Sequence, residues 1–261
     1  MQLSFSKYQG TGNDFIILDA WNSNIELSEA QIKFCCDRNF GVGADGLMII
    51  KKCVDADFEM IYFNSDGLPG SMCGNGSRCI VQYAFTKKYI SKKTRFLATD
   101  GMHEAEILED AQVSLKMGNV DNFEKRDNDF YLNTGSPHYI IAVNGIEKFA
   151  VVDEARKIRY NGEFSVKGTN VNFVQPEEDG ISVRTYERGV EDETLSCGTG
   201  VTAVALVSAD IFHLKKNKSE LINIITPGGK LKVSFERNHM VFENIHLIGP
   251  ATFVFEGSIN L

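Results

Sequence analysis

Two cysteines of the chain stand in the same local sequence. At Cys73-Gly74-Asn75-Gly76 and at Cys197-Gly198-Thr199-Gly200 a cysteine directly precedes a Gly-x-Gly turn, and an apolar run of helical character follows each: Ile80 to Phe85, and Val201 to Val207. Each thiol is then expected at a helix start, beside free backbone N–H groups and the positive end of the helix dipole, which favour the thiolate. The glycines let the backbone approach a bound group closely. The N–H groups of Gly74, Asn75, Gly198 and Thr199 are placed to receive a carboxylate or phosphate. A free cysteine is more often a small buried hydrophobe than a catalyst. The repetition is what lifts the pair.

A thiolate on one face of a carbon and a thiol on the other can remove a proton from one side and return one on the opposite side, which inverts a stereocentre. With reacting distances near 3–3.5 Å, the two sulfurs are expected roughly 6–7 Å apart in a closed state. As the α-proton leaves, charge builds on the adjacent carboxylate, where helix-start N–H groups stabilise it. No pyridoxal lysine and no metal site is evident in the sequence, so the expected chemistry is cofactor-independent. The rival reading from another class is a thiol redox protein whose two cysteines form a regulatory disulfide.

The composition fits an enzyme of this kind. A chain of 261 residues with 43% hydrophobic content buries a sizeable core, and a net charge of -8 argues against a nucleic-acid surface. The cluster of Lys87, Lys88, Lys92, Lys93 and Arg95 reads as a solvated helix end and loop. No apolar run approaches a membrane span, and Met1 to Lys7 lacks the pattern of a signal peptide. The expected location is cytoplasmic. The cysteines at 35, 36, 53, 73, 79 and 197 are therefore expected as reduced thiols, and those at 35, 36, 53 and 79 as packing. The five histidines, among them His138, have no metal-ligand spacing.

The elements that must hold the thiols occur twice. Thr11-Gly12 leads into the strand Phe15-Ile16-Ile17-Leu18, Ser28 with Gln31 caps a helix, and Leu47 to Ile50 and Phe58 to Phe63 read as strands before Cys73. Further strands are expected at Glu104 to Leu108 and Val113 to Met117. From about Tyr131 the pattern begins again. Thr134-Gly135 follows Thr11-Gly12 by 123 residues, and Tyr186 and Cys197 follow Tyr62 and Cys73 by 124 each. Gly46 falls opposite Asn170, and a second helix is expected near Asp153 to Arg156. Several matches in one order at nearly one offset indicate a duplicated domain.

Gly12-Asn13-Asp14-Phe15, Gly43-x-Asp45-Gly46, Asn64-x-Asp66-Gly67, Cys73-Gly74-Asn75-Gly76-x-Arg78-Cys79, Pro137-His138, Tyr186-Glu187-Arg188-Gly189, Cys197-Gly198-Thr199-Gly200 and Pro227-Gly228-Gly229 together resemble the diaminopimelate epimerase family, nearly end to end. The resemblance implies an α+β fold of two pseudo-symmetric domains, each an antiparallel β-barrel-like sheet around a central helix. The domains are expected at 1–118 and 119–250, with the strand at 251–261 returning to the first. It also implies a homodimer that converts LL- to meso-2,6-diaminopimelate without a cofactor, with neither nucleic acid nor membrane as partner. Cys73 and Cys197 resemble the family's acid/base pair, and His138 and Glu187 the groups that tune those thiols. Asn13, Asn64, Asn170 and Arg188 look like substrate contacts, with the Arg188 fork suited to a carboxylate and Glu187 to an ammonium. The chain departs from the pattern at Ser136, where many relatives carry Asn, and at Gly46, where some carry Gln. The nearest alternative is the same chemistry on another amino acid, as in a racemase of the histidine or proline type.

Overall fold

The computed structural model describes residues 1–70, 72–215 and 217–261. The chain divides into two compact units, one of Met1–Leu115 with Gly249–Leu261 and the other of Lys116–Ile248.

In the first unit the elements are β1 (Gln2–Gly10), β2 (Asn13–Asp19), α1 (Glu29–Cys36), β3 (Gly46–Lys51), β4 (Phe58–Asn64), α2 (Gly74–Thr86), β5 (Lys93–Ala98), β6 (Gly101–Ile107) and β7 (Val113–Lys116). The second runs through β8 (Glu124–Arg126), β9 (Asp129–Asn133), β10 (Pro137–Ala142), α3 (Val151–Arg159), β11 (Asn170–Glu177), β12 (Gly180–Glu187), β13 (Asp192–Thr194), α4 (Gly198–Ile211), β14 (Ser219–Thr226), β15 (Gly229–Asn238) and β16 (Val241–Gly249). The last strand, β17 (Thr252–Asn260), pairs antiparallel with β1 and so belongs to the first unit.

The duplication is visible in the strand pairings. β2 runs parallel to β3, β3 antiparallel to β4, β4 parallel to β5 and β5 antiparallel to β6. In the same succession β10 runs parallel to β11, β11 antiparallel to β12, β12 parallel to β14 and β14 antiparallel to β15. Gly46 opens β3 and Asn170 opens β11, the equivalence that the spacing predicts.

Each unit has one inner and one outer helix. The inner helices, α2 and α4, are buried on nearly every face, from Gly74 through Val81 in α2 and from Gly200 through Ser208 in α4. A helix without a polar face is stable only when surrounded, and the sheets surround both. The outer helices bury a single stripe. α1 turns Ile32, Cys35 and Cys36 onto Ile16, Leu18, Leu47 and Ile49, and α3 turns Val151 and Ala155 onto Val171, Phe173 and Tyr186. The Ser28 capping box that starts α1 is present, with the Ser28 oxygen receiving the Gln31 N–H and the Gln31 side chain receiving the Ser28 N–H. Lys93 and Arg95 are not loop residues: both lie on β5, where alternation turns them outward against buried Thr94 and Phe96. Among the described residues no helix is long and apolar enough to cross a membrane.

Candidate active site

Cys73 and Cys197 are the N-cap residues of the two inner helices. Their backbones agree closely, with φ -110 and ψ 121 at Cys73 and φ -112 and ψ 112 at Cys197. Each cysteine carbonyl accepts the first helical hydrogen bond, from the Ser77 N–H at 2.7 Å and from the Val201 N–H at 2.9 Å. Neither cysteine side chain caps its helix, and neither first turn holds an acidic residue. An N-cap serine or aspartate would occupy those first-turn N–H groups; a cysteine leaves them to a bound anion.

In the first unit the Cys73 Sγ lies 3.6 Å from the Asn13 Oδ1. Two charged anchors orient the amides around it. The Asn13 Nδ2 donates to the Asp45 carboxylate at 2.7 Å, which turns the Asn13 oxygen towards the sulfur. Asn75 donates its Nδ2 to the same Asn13 oxygen at 3.4 Å and receives the Arg78 Nη2 on its own oxygen at 2.9 Å. Arg38 bridges Asp14 and Asp45, and buried Lys7 pairs with Asp14 at 2.7 Å. Burial alone would raise the Asp14 pKa, but hydrogen bonds and charge from Arg38 and Lys7 hold it well below the usual carboxylate range. Asn64 is exposed at the end of β4, where its backbone closes a turn with Gly67 and Leu68. At Gly46 an added Cβ would stand 2.6 Å from the Tyr62 ring, so the side chain some relatives carry there has no room beside this tyrosine.

In the second unit the Cys197 Sγ lies 3.4 Å from the Thr199 hydroxyl, which lies 2.9 Å from the His138 Nε2. His138 is fully buried, and its Nδ1 faces the Asn172 Nδ2 at 3.1 Å. Burial, reinforced by the Arg188 charge, lowers the His138 pKa to about 3, so the imidazole is neutral at physiological pH. Asn170 organises the neighbouring corner. Its oxygen accepts the Arg188 backbone N–H at 2.9 Å, and its nitrogen donates to the Ser136 Oγ and the Pro137 carbonyl. Ser136 also accepts the Arg188 Nη2 at 3.4 Å, while Nη1 donates to the Lys167 carbonyl. Glu187 receives the Thr194 hydroxyl at 2.9 Å.

The four remaining cysteines do not stand at the start of an inner helix. Cys35, Cys36 and Cys79 are buried, and desolvation pushes Cys36 and Cys79 up to about 12 and raises Cys35. Cys53 is half-buried beyond β3. Within their own units Cys73 is brought together with Asn13 and Asn75, and Cys197 with Thr199 and His138. Asp45 and Arg78, which stood in the sequence motifs without an assigned role, and Asn172, which was not singled out, complete these clusters. Asn172 had one signal: two residues after Asn170 and set among apolar Val171, Phe173 and Val174, it shares a face with it.

The diaminopimelate epimerase family model matches residues 5–122 and 130–254. The diaminopimelate epimerase of Flavobacterium psychrophilum is 47% identical over 97% of this chain and 98% of its own length, and that of Chlorobaculum tepidum 43% identical over 97% and 99%. Among solved structures, a phenazine biosynthesis protein of the PhzF family from Bacillus anthracis superposes with a TM-score of 0.79 at 14% identity, covering 100% of both chains. A hydroxyproline epimerase from Agrobacterium vitis follows at 0.67 and 14%, covering 99% of this chain and 92% of that one. At such identity these two speak for the fold alone, whereas the family match and the near full-length relatives settle the kinship: the chain belongs to the diaminopimelate epimerase family.

Proposed function

We propose that the protein interconverts LL- and meso-2,6-diaminopimelate by a cofactor-independent two-base mechanism, serving lysine and peptidoglycan precursor synthesis. The observation that carries this reading is the pair of cysteines at equivalent N-cap positions of two related inner helices, in a chain of this family. One thiolate takes the α-proton and becomes a thiol. The electron pair left on carbon spreads into the α-carboxylate, and the other cysteine delivers its proton to the opposite face and becomes the thiolate. Protons balance, and the stereocentre is inverted. The N–H groups of Gly74, Asn75, Gly198 and Thr199 hold the carboxylate as charge builds on it.

Asn13, Asn64, Asn170 and Arg188 bind the substrate, and Glu187 takes an ammonium. His138 and Glu187 tune the thiols. The protein works in the cytoplasm as a homodimer. Supporting a second copy, β17 presents Phe253, Val254 and Phe255, each about half exposed. The test is incubation with LL-diaminopimelate in deuterium oxide, beside L-histidine and L-proline. Deuterium is expected at the inverted carbon of diaminopimelate only, with severe loss for Cys73→Ser or Cys197→Ser at unchanged circular dichroism. Incorporation into histidine or proline alone would overturn the substrate, and exchange with none would favour a redox role.

A further inference from the structure

The polarity of hydrogen bonds around the two sulfurs is fixed by groups whose donor and acceptor roles are not in question. On the Cys197 side the chain starts at a backbone carbonyl. The Asn172 Nδ2 lies 3.3 Å from the Tyr139 oxygen, which only accepts, so that amide end is the nitrogen. The Thr185 hydroxyl, 3.0 Å from the Asn172 Oδ1, agrees with this orientation. The same Nδ2 faces the His138 Nδ1, which must therefore accept. In a neutral imidazole the proton is then on Nε2, and Nε2 donates to the Thr199 oxygen. With one lone pair of its oxygen receiving that proton, the Thr199 hydroxyl keeps its own hydrogen available to donate to the Cys197 sulfur, 3.4 Å away. The sequence of bonds ends on a hydroxyl able to donate to sulfur.

On the Cys73 side it ends on an acceptor. The Asp45 carboxylate at one end and the Arg78 guanidinium at the other leave the Asn13 oxygen pointing at the Cys73 sulfur, and that oxygen can only receive the S–H. Charge has to be set against this. The buried Arg78 cation lies within electrostatic reach of Cys73 and favours a thiolate there. Four of its N–H groups, however, go to Pro250, Gly74, Thr11 and Asn75. The thiol of Cys79, on the same helix, is also coupled to Cys73. Burial, with the Arg188 charge adding to it, keeps the His138 imidazole neutral.

We propose that Asn172 and the Thr199 hydroxyl are positioning residues that hold Cys197 as the thiolate of the resting pair, while the Asn13 oxygen holds Cys73 as the thiol. His138 acts here as a tautomer-locked neutral donor and never takes the substrate proton. The catalytic meaning of this order rests on the two-base reading, but the order itself is measurable without substrate. Iodoacetamide labelling of the full chain, followed site by site by peptide mass spectrometry across pH, gives the ionisation midpoint of each thiol. The Cys197 midpoint is expected below that of Cys73 by about one pH unit or more, as a hydrogen bond to the charged form requires. Thr199→Val should raise the Cys197 midpoint by about one unit, Thr199→Ser should restore it, and neither should move Cys73. A Cys73 midpoint at or below that of Cys197, or a Cys197 midpoint indifferent to Thr199→Val, overturns the proposal. Should the valine variant fail to fold, the comparison within the wild type still decides. Failure of the deuterium experiment with this labelling order intact would remove the reaction and leave the charge assignment.

Discussion

His138 concentrates what single residues do in this molecule. It is buried completely, and Gly200 makes the space: a Cβ there would stand 2.5 Å from the Asn172 Oδ1 and 3.2 Å from the His138 Cε1. The second glycine of the Cys-Gly-x-Gly motif therefore serves packing against the histidine and Asn172. The motif and the thiols were legible in the sequence because N-cap chemistry is local. Asn172 was not, because its meaning depends on a parallel pairing that brings residues 34 positions apart into contact. A neutral buried histidine also couples stability to pH. The unfolded chain takes up its proton near the ordinary value of 6.5, while the folded protein resists until about 3. Its contribution is thus complete above pH 6.5 and is lost progressively as pH falls towards 3. Urea unfolding of the wild type should weaken across that window, and His138→Gln should weaken less steeply. Parallel slopes would mean that the imidazole is charged in the fold.

At the scale of elements, the loops before the inner helices are held by charges that strand alternation does not disclose. Lys7 lies on β1 in a run where Phe5, Ser6, Lys7 and Tyr8 are all buried, so no outward face marks it. Its ammonium is 5% exposed as a residue, bonded to the Gly43 carbonyl and paired with Asp14, and Asp14 shares Arg38 with Asp45, the anchor of Asn13. β1, β2 and the loop ahead of β3 are thereby tied together behind Cys73. Removing one partner of a buried pair costs more than the pair contributes, because the other charge stays buried. Lys7→Ala should lower unfolding stability by roughly 3 kcal/mol. Its Asn13, no longer fixed through Asp45, should also let the Cys73 labelling midpoint drift. Unchanged urea midpoints would show that water reaches Asp14 and replaces the lysine. The start of α1, by contrast, could be read directly, since Ser28 with Gln31 announces it, and α3 followed as its counterpart in the repeat.

For the whole molecule the decisive contacts join the two ends of the chain. β17 lies along β1 from Gln2 opposite Asn260 to Gln9 opposite Thr252, and the Met1 ammonium and the Leu261 N–H close the pair with each other's carbonyls. Local patterning holds no signal for such a pairing, because nothing in the order of residues along either strand names the other. The duplication was readable, since equal offsets between like residues need only the linear sequence. What β17 supplies follows from its place. Pro250, just before it, offers its carbonyl to the buried Arg78, and Phe253 and Phe255 pack edge-on against Tyr8 and Phe5. Without the strand, β1 would present bare N–H and C=O groups along its length and Arg78 would lose an acceptor inside the core. A chain ending at Gly249 should therefore lose the first unit before the second. Limited proteolysis is expected to cut within residues 1–115 while 116–248 persists, and the thermal transition should separate into two. A truncated chain that melts in one step at the wild-type temperature would mean that β1 and α2 are held from elsewhere.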